Sequence, residues 1–364
     1  MINRILRQII LISLGIGTAI SALELLARIS PIDSLPEPLP LAVQEMRLHD
    51  NTFFRRDPYF RYITAPKLDY LVQHPDFSYR VKTNLNFEQA GFRGGTRSGP
   101  VWGVALGDSF TFGMGVNQEA TWIAQLAQIT QSEIVNLGVP GWGPQQYTRA
   151  LERYGIGLNP KLIFYGLYRN DLQDALLFDQ WYSDHSVKYR LDAFLRQYSI
   201  AYKLTSLMLA NLNPGTEDIA LSDLAVTFNS RQIRTELKND IDHFGSAWRL
   251  TERELDLAIR YSQGAVAKFV LLYFPSKEEV YWDMIKQKEK SLASFDDAID
   301  IFRTHLLDFC QKRQIFCLDL TPALRSKASQ GERLYYSHDR HWTELGNTVV
   351  ADQIYQFLSA NKIH

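Results

Sequence analysis

Cysteine is scarce in this chain, with only Cys310 and Cys317 among 364 residues. Two cysteines without a histidine spaced to join them exclude a structural zinc site. Neither sign of charge is in excess: 39 Lys and Arg stand against 40 Asp and Glu, a formal net charge of −1. Without a clustered basic patch, nucleic acid is excluded as a partner. There is no low-complexity tract and no internal repeat. What remains is a globular protein, 46% hydrophobic, large enough for one sizeable domain with additions or for two domains.

Long apolar runs are also missing. The uncharged stretch Ile9 to Leu23 is shorter than the about 20 residues that span a bilayer. It reaches that length if Glu24 and Arg28, at i,i+4 spacing, lie at the interface and neutralise each other. Arg4 and Arg7 precede the run without an acid, which puts the amino terminus inside and the body outside the cytoplasm. Residues 1–30 are therefore expected to be a transmembrane anchor, with the body on the periplasmic or extracellular side. A cleaved signal peptide is the rival reading, although Ile20-Ser21-Ala22 is a poor small-x-small site. A buried helix of a cytosolic domain is the third. An extracytoplasmic address permits Cys310 and Cys317 to pair as a disulfide; two buried free thiols are the alternative.

Pro31, Pro36, Pro38 and Pro40 make the following stretch an extended spacer. Residues 31–100 read as a linker and a leading segment, rich in aromatics such as Phe53, Tyr59 and Tyr62, packed on the core as strands and loops. From residue 101 the pattern is regular. Strands are expected at 101–106, 133–137, 162–167, 268–274 and 315–320, and helices at 122–129, 145–154, 250–262, 295–312 and 343–358. Short apolar strands alternating with amphipathic helices specify βαβ units. Five such strands with right-handed crossovers make an α/β fold, a three-layer αβα sandwich around a five-stranded parallel sheet over 101–364. Residues from about 172 to 249 interrupt the rhythm and read as an insertion, helical in pieces over Val187–Leu212. It serves either as a lid or substrate wall or as a structural subdomain away from the site.

Four chemistry-bearing elements fall at strand ends or helix starts. Leu106-Gly107-Asp108-Ser109 follows the first strand, where open α/β sheets place their ligands. A serine there needs a base, an orienter for the base and donors for an oxyanion. The glycine-rich turn Gly138-Val139-Pro140-Gly141-Trp142-Gly143 follows the second strand and lets backbone N–H groups approach a ligand. Asn170, in Tyr168-Arg169-Asn170-Asp171, can donate its side-chain N–H to an oxyanion or form an Asx turn. In Ser337-His338-Asp339-Arg340-His341-Trp342, Asp339 stands two residues before His341 and can fix the imidazole tautomer. The same loop offers two His and an Asp to a metal, a weaker reading because no further acids or histidines support it. Four elements in this order are hard to explain as turns alone.

In that order the chain resembles the SGNH subgroup of the GDSL hydrolase family, from about Asn84 to the carboxyl terminus apart from the insertion. The resemblance implies a flavodoxin-like hydrolase domain and assigns Ser109 as nucleophile and oxyanion N–H, Gly141 as a second oxyanion N–H, Asn170 as oxyanion side chain and His341 as base. Asp339 completes a Ser-His-Asp triad. Two departures stand out. The usual Asp three residues before the His is His338 here, and the usual Gly two before the Asn is Tyr168. Asp339-Arg340-His341-Trp342-Thr343 with Gly346, and Pro275-Ser276-Lys277-Glu278-Glu279-Val280-Tyr281, look more like SGNH-like proteins of extracellular polysaccharide O-acetylation. In this reading Lys277 and Tyr281 either line the site or fix the loop after their strand. The resemblance implies an esterase acting on an ester or acylated glycan, with no cofactor and no metal. The alternatives are an O-acyltransferase, or a non-catalytic polysaccharide-binding subunit whose Trp142, Trp181, Trp248, Trp282 and Trp342 stack on sugars.

Overall fold

The computed structural model describes residues 53–83, 87, 90–94, 100–183 and 218–363, together with Thr18, Ser21, Ala22 and Leu25. The chain divides into two units, Met1–Arg47 with Ser183–Pro214 and Leu48–Tyr182 with Gly215–His364. In the first unit Thr18, Ser21, Ala22 and Leu25 are helical and exposed. The rest of the expected anchor, and the helical pieces at 187–212, lie outside the described residues. Among the described residues no helix is long and apolar enough to cross a membrane.

The second unit opens with two antiparallel hairpins: β1 (Phe54–Asp57) with β2 (Arg61–Thr64), and β3 (Asp69–His74) with β4 (Phe77–Lys82). There follow β5 (Val101–Leu106), α1 (Ser109–Phe112), α2 (Trp122–Thr130), β6 (Glu133–Asn136), α3 (Pro144–Ala150), β7 (Leu162–Tyr168) and α4 (Asp171–Ser183). A small hairpin, β8 (Ile219–Leu221) and β9 (Val226–Phe228), leads into α5 (Ser230–Gly264). The chain ends with β10 (Lys268–Phe274), α6 (Lys277–Lys288), α7 (Ile301–Arg313), β11 (Phe316–Asp319), α8 (Thr321–Ser329) and α9 (Glu344–Ala360).

The expected five-stranded parallel sheet is present, in the order β11-β10-β7-β5-β6. The central strands β5 and β7 are apolar along their whole length, and β10 is so after Lys268, because both faces are covered. Side chains alternate between those faces. Ile163, Tyr165, Leu167, Leu271 and Tyr273 join one core cluster, with α3, α5, α7 and the leading hairpins. Leu162, Phe164, Val270, Leu272 and Phe274 join the other, with α2, α6, α8 and α9. From β5 the chain passes to β6 on one side; from β7 it passes to β10 on the other. The crevice beyond the carboxyl ends of β5 and β7 is thus the topological switch point, where this class of sheet binds its ligands.

The helices depart from expectation in four places. The helix expected at 250–262 is the second half of α5, which begins at Ser230 with Asn229 as its cap, accepting from the Gln232 N–H at 2.8 Å. Ile233, Leu237, Phe244, Ala247, Thr251, Leu255 and Ala258 form one buried stripe along it, so its first five turns are packed helix despite their charge-rich outer face. Helix α6 was not expected, although Ser276 and Glu279 form a capping box at its start. The helix expected at 295–312 is broken at Asp300 into a one-turn helix, Asp296–Ile299, and α7, and α8, which was not expected, starts at Thr321-Pro322, where proline suits the first turn. Cys310 in α7 and Cys317 in β11 are disulfide-bonded, with Cα atoms 6.1 Å apart.

Candidate active site

Strand β5 ends beneath Ser109, the first residue of the short helix α1. Asp108 caps that helix, its Oδ1 accepting the Phe110 N–H at 2.9 Å. Burial pushes the Asp108 carboxyl up to about 6, against the opposing pull of the Phe110 N–H and of His341. As the first residue of the helix, Ser109 has no intrahelical acceptor for its own N–H. The far end of α1 is held by Arg93, 2% exposed. Its guanidinium donates to the carbonyls of Phe112 at 3.1 Å and Val116 at 2.5 Å, and also to Gly113.

The loop before α9 brings the base to the serine. A bridge between Tyr335 and Trp342 closes it, and the Tyr336 N–H donates to the His341 carbonyl at 3.1 Å. Thr343 starts α9 by accepting the Gly346 N–H at 3.2 Å. His341 Nε2 lies 2.7 Å from Ser109 Oγ, and its Nδ1 lies 2.7 Å from Asp339 Oδ1. The same carboxylate oxygen accepts the His341 N–H at 2.7 Å. Burial opposes ionisation of Asp339, but electrostatic attraction to the His341 ring and the hydrogen bonds from it outweigh that cost. The carboxyl is held well below its ordinary range. Asp319, at the end of β11, accepts instead from Arg303 and the Thr321 N–H at 2.7 and 2.9 Å.

The glycine-rich turn after β6 packs directly on the Ser109 segment. The Val139 N–H donates to the Gly107 carbonyl at 3.1 Å, and a Cβ on Gly138 would stand 2.6 Å from the Phe112 nitrogen. Gly141 has φ +73, and a Cβ there would meet the Tyr62 hydroxyl oxygen at 2.6 Å. Both reasons require glycine. The Tyr62 hydroxyl donates to the Pro140 carbonyl at 3.1 Å, so the first hairpin fixes the turn from outside.

Asn170 follows β7, the strand beside β5, and the neighbouring Tyr168 ring stacks on Phe110 with centroids 4.3 Å apart. The Asn170 amide oxygen is buried and without a hydrogen bond among the described residues. Asp171 is fully buried below it, accepting the Tyr147 hydroxyl at 2.5 Å and the Tyr168 N–H at 2.8 Å. Burial first, then the charge of Asp108, pushes the Asp171 carboxyl far up. The fold therefore joins Ser109, His341 and Asp339 by direct hydrogen bonds. Gly141 and Asn170 stand at the ends of the two strands flanking β5 and make no hydrogen bond to Ser109 or His341.

Lys277 and Tyr281 do not line the cleft. Lys277 is buried, its ammonium donating to the Ser337 carbonyl at 2.6 Å and the Thr227 carbonyl at 3.1 Å. The Tyr281 hydroxyl accepts the Leu334 N–H at 3.1 Å. Both secure the strand-like stretch that leads to His341. Trp142, Trp282 and Trp342 are core side chains, at most 4% exposed, and cannot serve as sugar platforms. Among the described residues no group of three or more His, Cys, Asp or Glu is placed to hold a metal ion. Three residues at this site had no sequence signal: Tyr62, Arg93 and Asp76, whose carboxylate meets the histidine loop at His338 and Asp339.

Residues 252–364 match the family described as the SGNH hydrolase-like domain of acetyltransferase AlgX. No curated protein matches the chain. Similar solved structures include a putative lipolytic protein of the G-D-S-L family from Desulfitobacterium hafniense, 14% identical, covering 71% of this chain and 99% of its own, with a TM-score of 0.40. An acetyl xylan esterase, AlAXEase, is 12% identical over 70% of this chain and 98% of its own, with a TM-score of 0.39. The acetylxylan esterase Axe2 from Geobacillus stearothermophilus is 11% identical over 72% of this chain and 95% of its own, with a TM-score of 0.39. Residues 252–364 are thus similar to an SGNH hydrolase-like domain, and the five-stranded parallel sheet is of the α/β kind expected for such a domain.

Proposed function

We propose that this protein is a serine esterase that removes O-acyl groups, acetyl foremost, from a glycan or similar ester outside the cytoplasm. The observation that carries the reading is the unbroken hydrogen-bond chain from Asp339 through His341 to Ser109, two links of 2.7 Å each, at the switch point of the sheet. A serine is inert without such a base.

In this mechanism Ser109 Oγ attacks the ester carbonyl carbon while its proton passes to His341 Nε2. Asp339 holds the other ring nitrogen and stabilises the imidazolium. The carbonyl oxygen becomes an oxyanion and receives the N–H groups of Ser109 and Gly141 and the Asn170 amide. The carbon–oxygen bond to the alcohol breaks, and the leaving oxygen takes the proton from His341. Water then gives a proton to His341 and adds to the acyl carbon, and the acid departs as Ser109 regains its proton. No step calls for a metal or organic cofactor.

The address rests on the basic start of the chain, the uncharged run behind it, and the Cys310–Cys317 disulfide, which an oxidising compartment sustains. A second reading, transfer of the acyl group to a sugar hydroxyl instead of water, is favoured by the family matched over 252–364. The two are separated by following acyl groups from p-nitrophenyl acetate in the presence of acceptor oligosaccharides. Free acetate as the main product at every acceptor concentration supports hydrolysis; acetylated oligosaccharide at the expense of acetate supports transfer. Equal turnover by Ser109→Ala would contradict both.

A further inference from the structure

The histidine loop is held from outside by a carboxylate belonging to a distant part of the chain. Asp76 sits in the two-residue tip that joins β3 to β4, where His74 pairs with Phe77. Its Oδ2 accepts two successive backbone N–H groups, those of His338 and Asp339, at 2.8 Å each. Its Oδ1 meets His338 Nδ1 at 2.9 Å. The Asp76 side chain is only 8% exposed. The hairpin tip is braced by its own contacts. The His74 ring stacks on Phe77 at 4.5 Å, the Asp76 N–H donates to His74 Nδ1 at 3.2 Å, and Phe77 packs on Tyr336 at 4.8 Å between centroids. Further along β4, the Arg80 N–H donates to Asn117 Oδ1 at 3.0 Å, anchoring the hairpin on the segment after Ser109.

We infer that Asp76 is a positioning residue for the Ser109 reaction: by holding the backbone at His338 and Asp339 it sets the Asp339 carboxylate on His341. The inference rests on the serine-esterase reading above. Asp339 must turn one oxygen onto both the His341 N–H and Nδ1, so a small rotation of the backbone at 339 moves that oxygen off the ring. Lys277 and the Thr227 N–H and hydroxyl hold the loop at the Ser337 carbonyl; Asp76 holds the next two residues. A charged acceptor makes these bonds stronger than neutral ones would be. The hairpin lies outside residues 252–364, the part matched by the SGNH hydrolase-like family. Part of the apparatus that aligns the base is therefore supplied by the leading segment.

The test compares the full chain with its Asp76→Ala, Asp76→Asn and His338→Ala variants on p-nitrophenyl acetate. Active sites are counted by fluorophosphonate titration, and thermal unfolding is recorded for each. Misplacing the base by a fraction of an ångström is expected to lower kcat per titrated site roughly 10- to 100-fold in Asp76→Ala, with KM little changed. Asp76→Asn, which keeps an oxygen for the two N–H groups, should recover most of the rate. His338→Ala, which leaves those backbone bonds in place, should stay close to wild type. Unchanged kcat per site in Asp76→Ala, or a loss that only follows the fraction of folded protein, overturns the inference. A fully active Ser109→Ala chain would instead overturn the esterase reading on which it stands.

Discussion

Ser109 Oγ and His341 Nε2 lie 2.7 Å apart although 232 residues separate them in the chain. The first strand of the parallel sheet delivers the serine, and the loop before the last helix delivers the histidine. Their meeting depends on a sheet that turns in both directions from β5 and β7, on Arg93 behind the serine helix, and on outside anchors of the histidine loop, Asp76 and Lys277 among them.

Asn170 is expected to act on the oxyanion alone. Replacing it by Ala should lower kcat by roughly 10²–10³-fold with KM little changed, because its bond strengthens only as charge develops. Steady-state kinetics decide this. A rise in KM at constant kcat would make Asn170 a binding residue.

Asp339→Asn should keep the fold and cost orders of magnitude in kcat, since the amide cannot hold the correct tautomer or stabilise the imidazolium. His338→Ala should cost far less. If His338→Ala is the more damaging of the two, the orienting role passes from Asp339 to the Asp76–His338 pair.

Arg93 is expected to matter for stability. Burial lowers its guanidinium to about 10, opposed by Tyr79 and Glu119, and its donors satisfy three carbonyls around the end of α1. Arg93→Ala should cost roughly 3 kcal/mol or more in denaturant unfolding, through unsatisfied buried acceptors and an emptied site. Arg93→Lys should recover little, since one ammonium cannot reproduce the planar fork. A change below about 0.5 kcal/mol, the range of ordinary surface substitutions, would contradict the role given to it.

Asp108 links stability to pH with a definite sign. Its folded value, about 6, lies above the ordinary carboxylate value of 3.8. Between these values the unfolded chain has released the proton and the folded chain still holds it. The Asp108 contribution therefore disfavours the folded state increasingly as pH rises through that interval. Asp108→Asn removes this term, so its unfolding temperature relative to wild type should rise between about pH 4 and pH 6. A constant difference across that interval would mean that Asp108 does not titrate there.

What could be read from the sequence follows from how each element is determined. The strands carrying Ser109 and Asn170 are buried on both faces, so each appears as a short apolar run that stops at polar or glycine residues. The pairing of Asp339 with His341 was legible because it is local, two residues apart in one loop. Asp76 was not, because its partners lie 262 and 263 residues away and His74-Pro75-Asp76 reads as an ordinary turn. Arg93 sits among glycines and looks like a surface residue; only the packed structure shows it buried. The first half of α5 reads as part of an insertion because its exposed face dominates the composition. Its apolar stripe and the Asn229 cap were the signals that identify it. Likewise the Ser276–Glu279 capping box marks α6.

The most direct measurement of the central claim is covalent labelling by a fluorophosphonate probe, comparing wild type with Ser109→Ala and His341→Ala. The account predicts stoichiometric labelling of the wild-type chain at Ser109, none in Ser109→Ala, and labelling slowed by orders of magnitude in His341→Ala. Equal labelling of the wild-type and Ser109→Ala chains would contradict it.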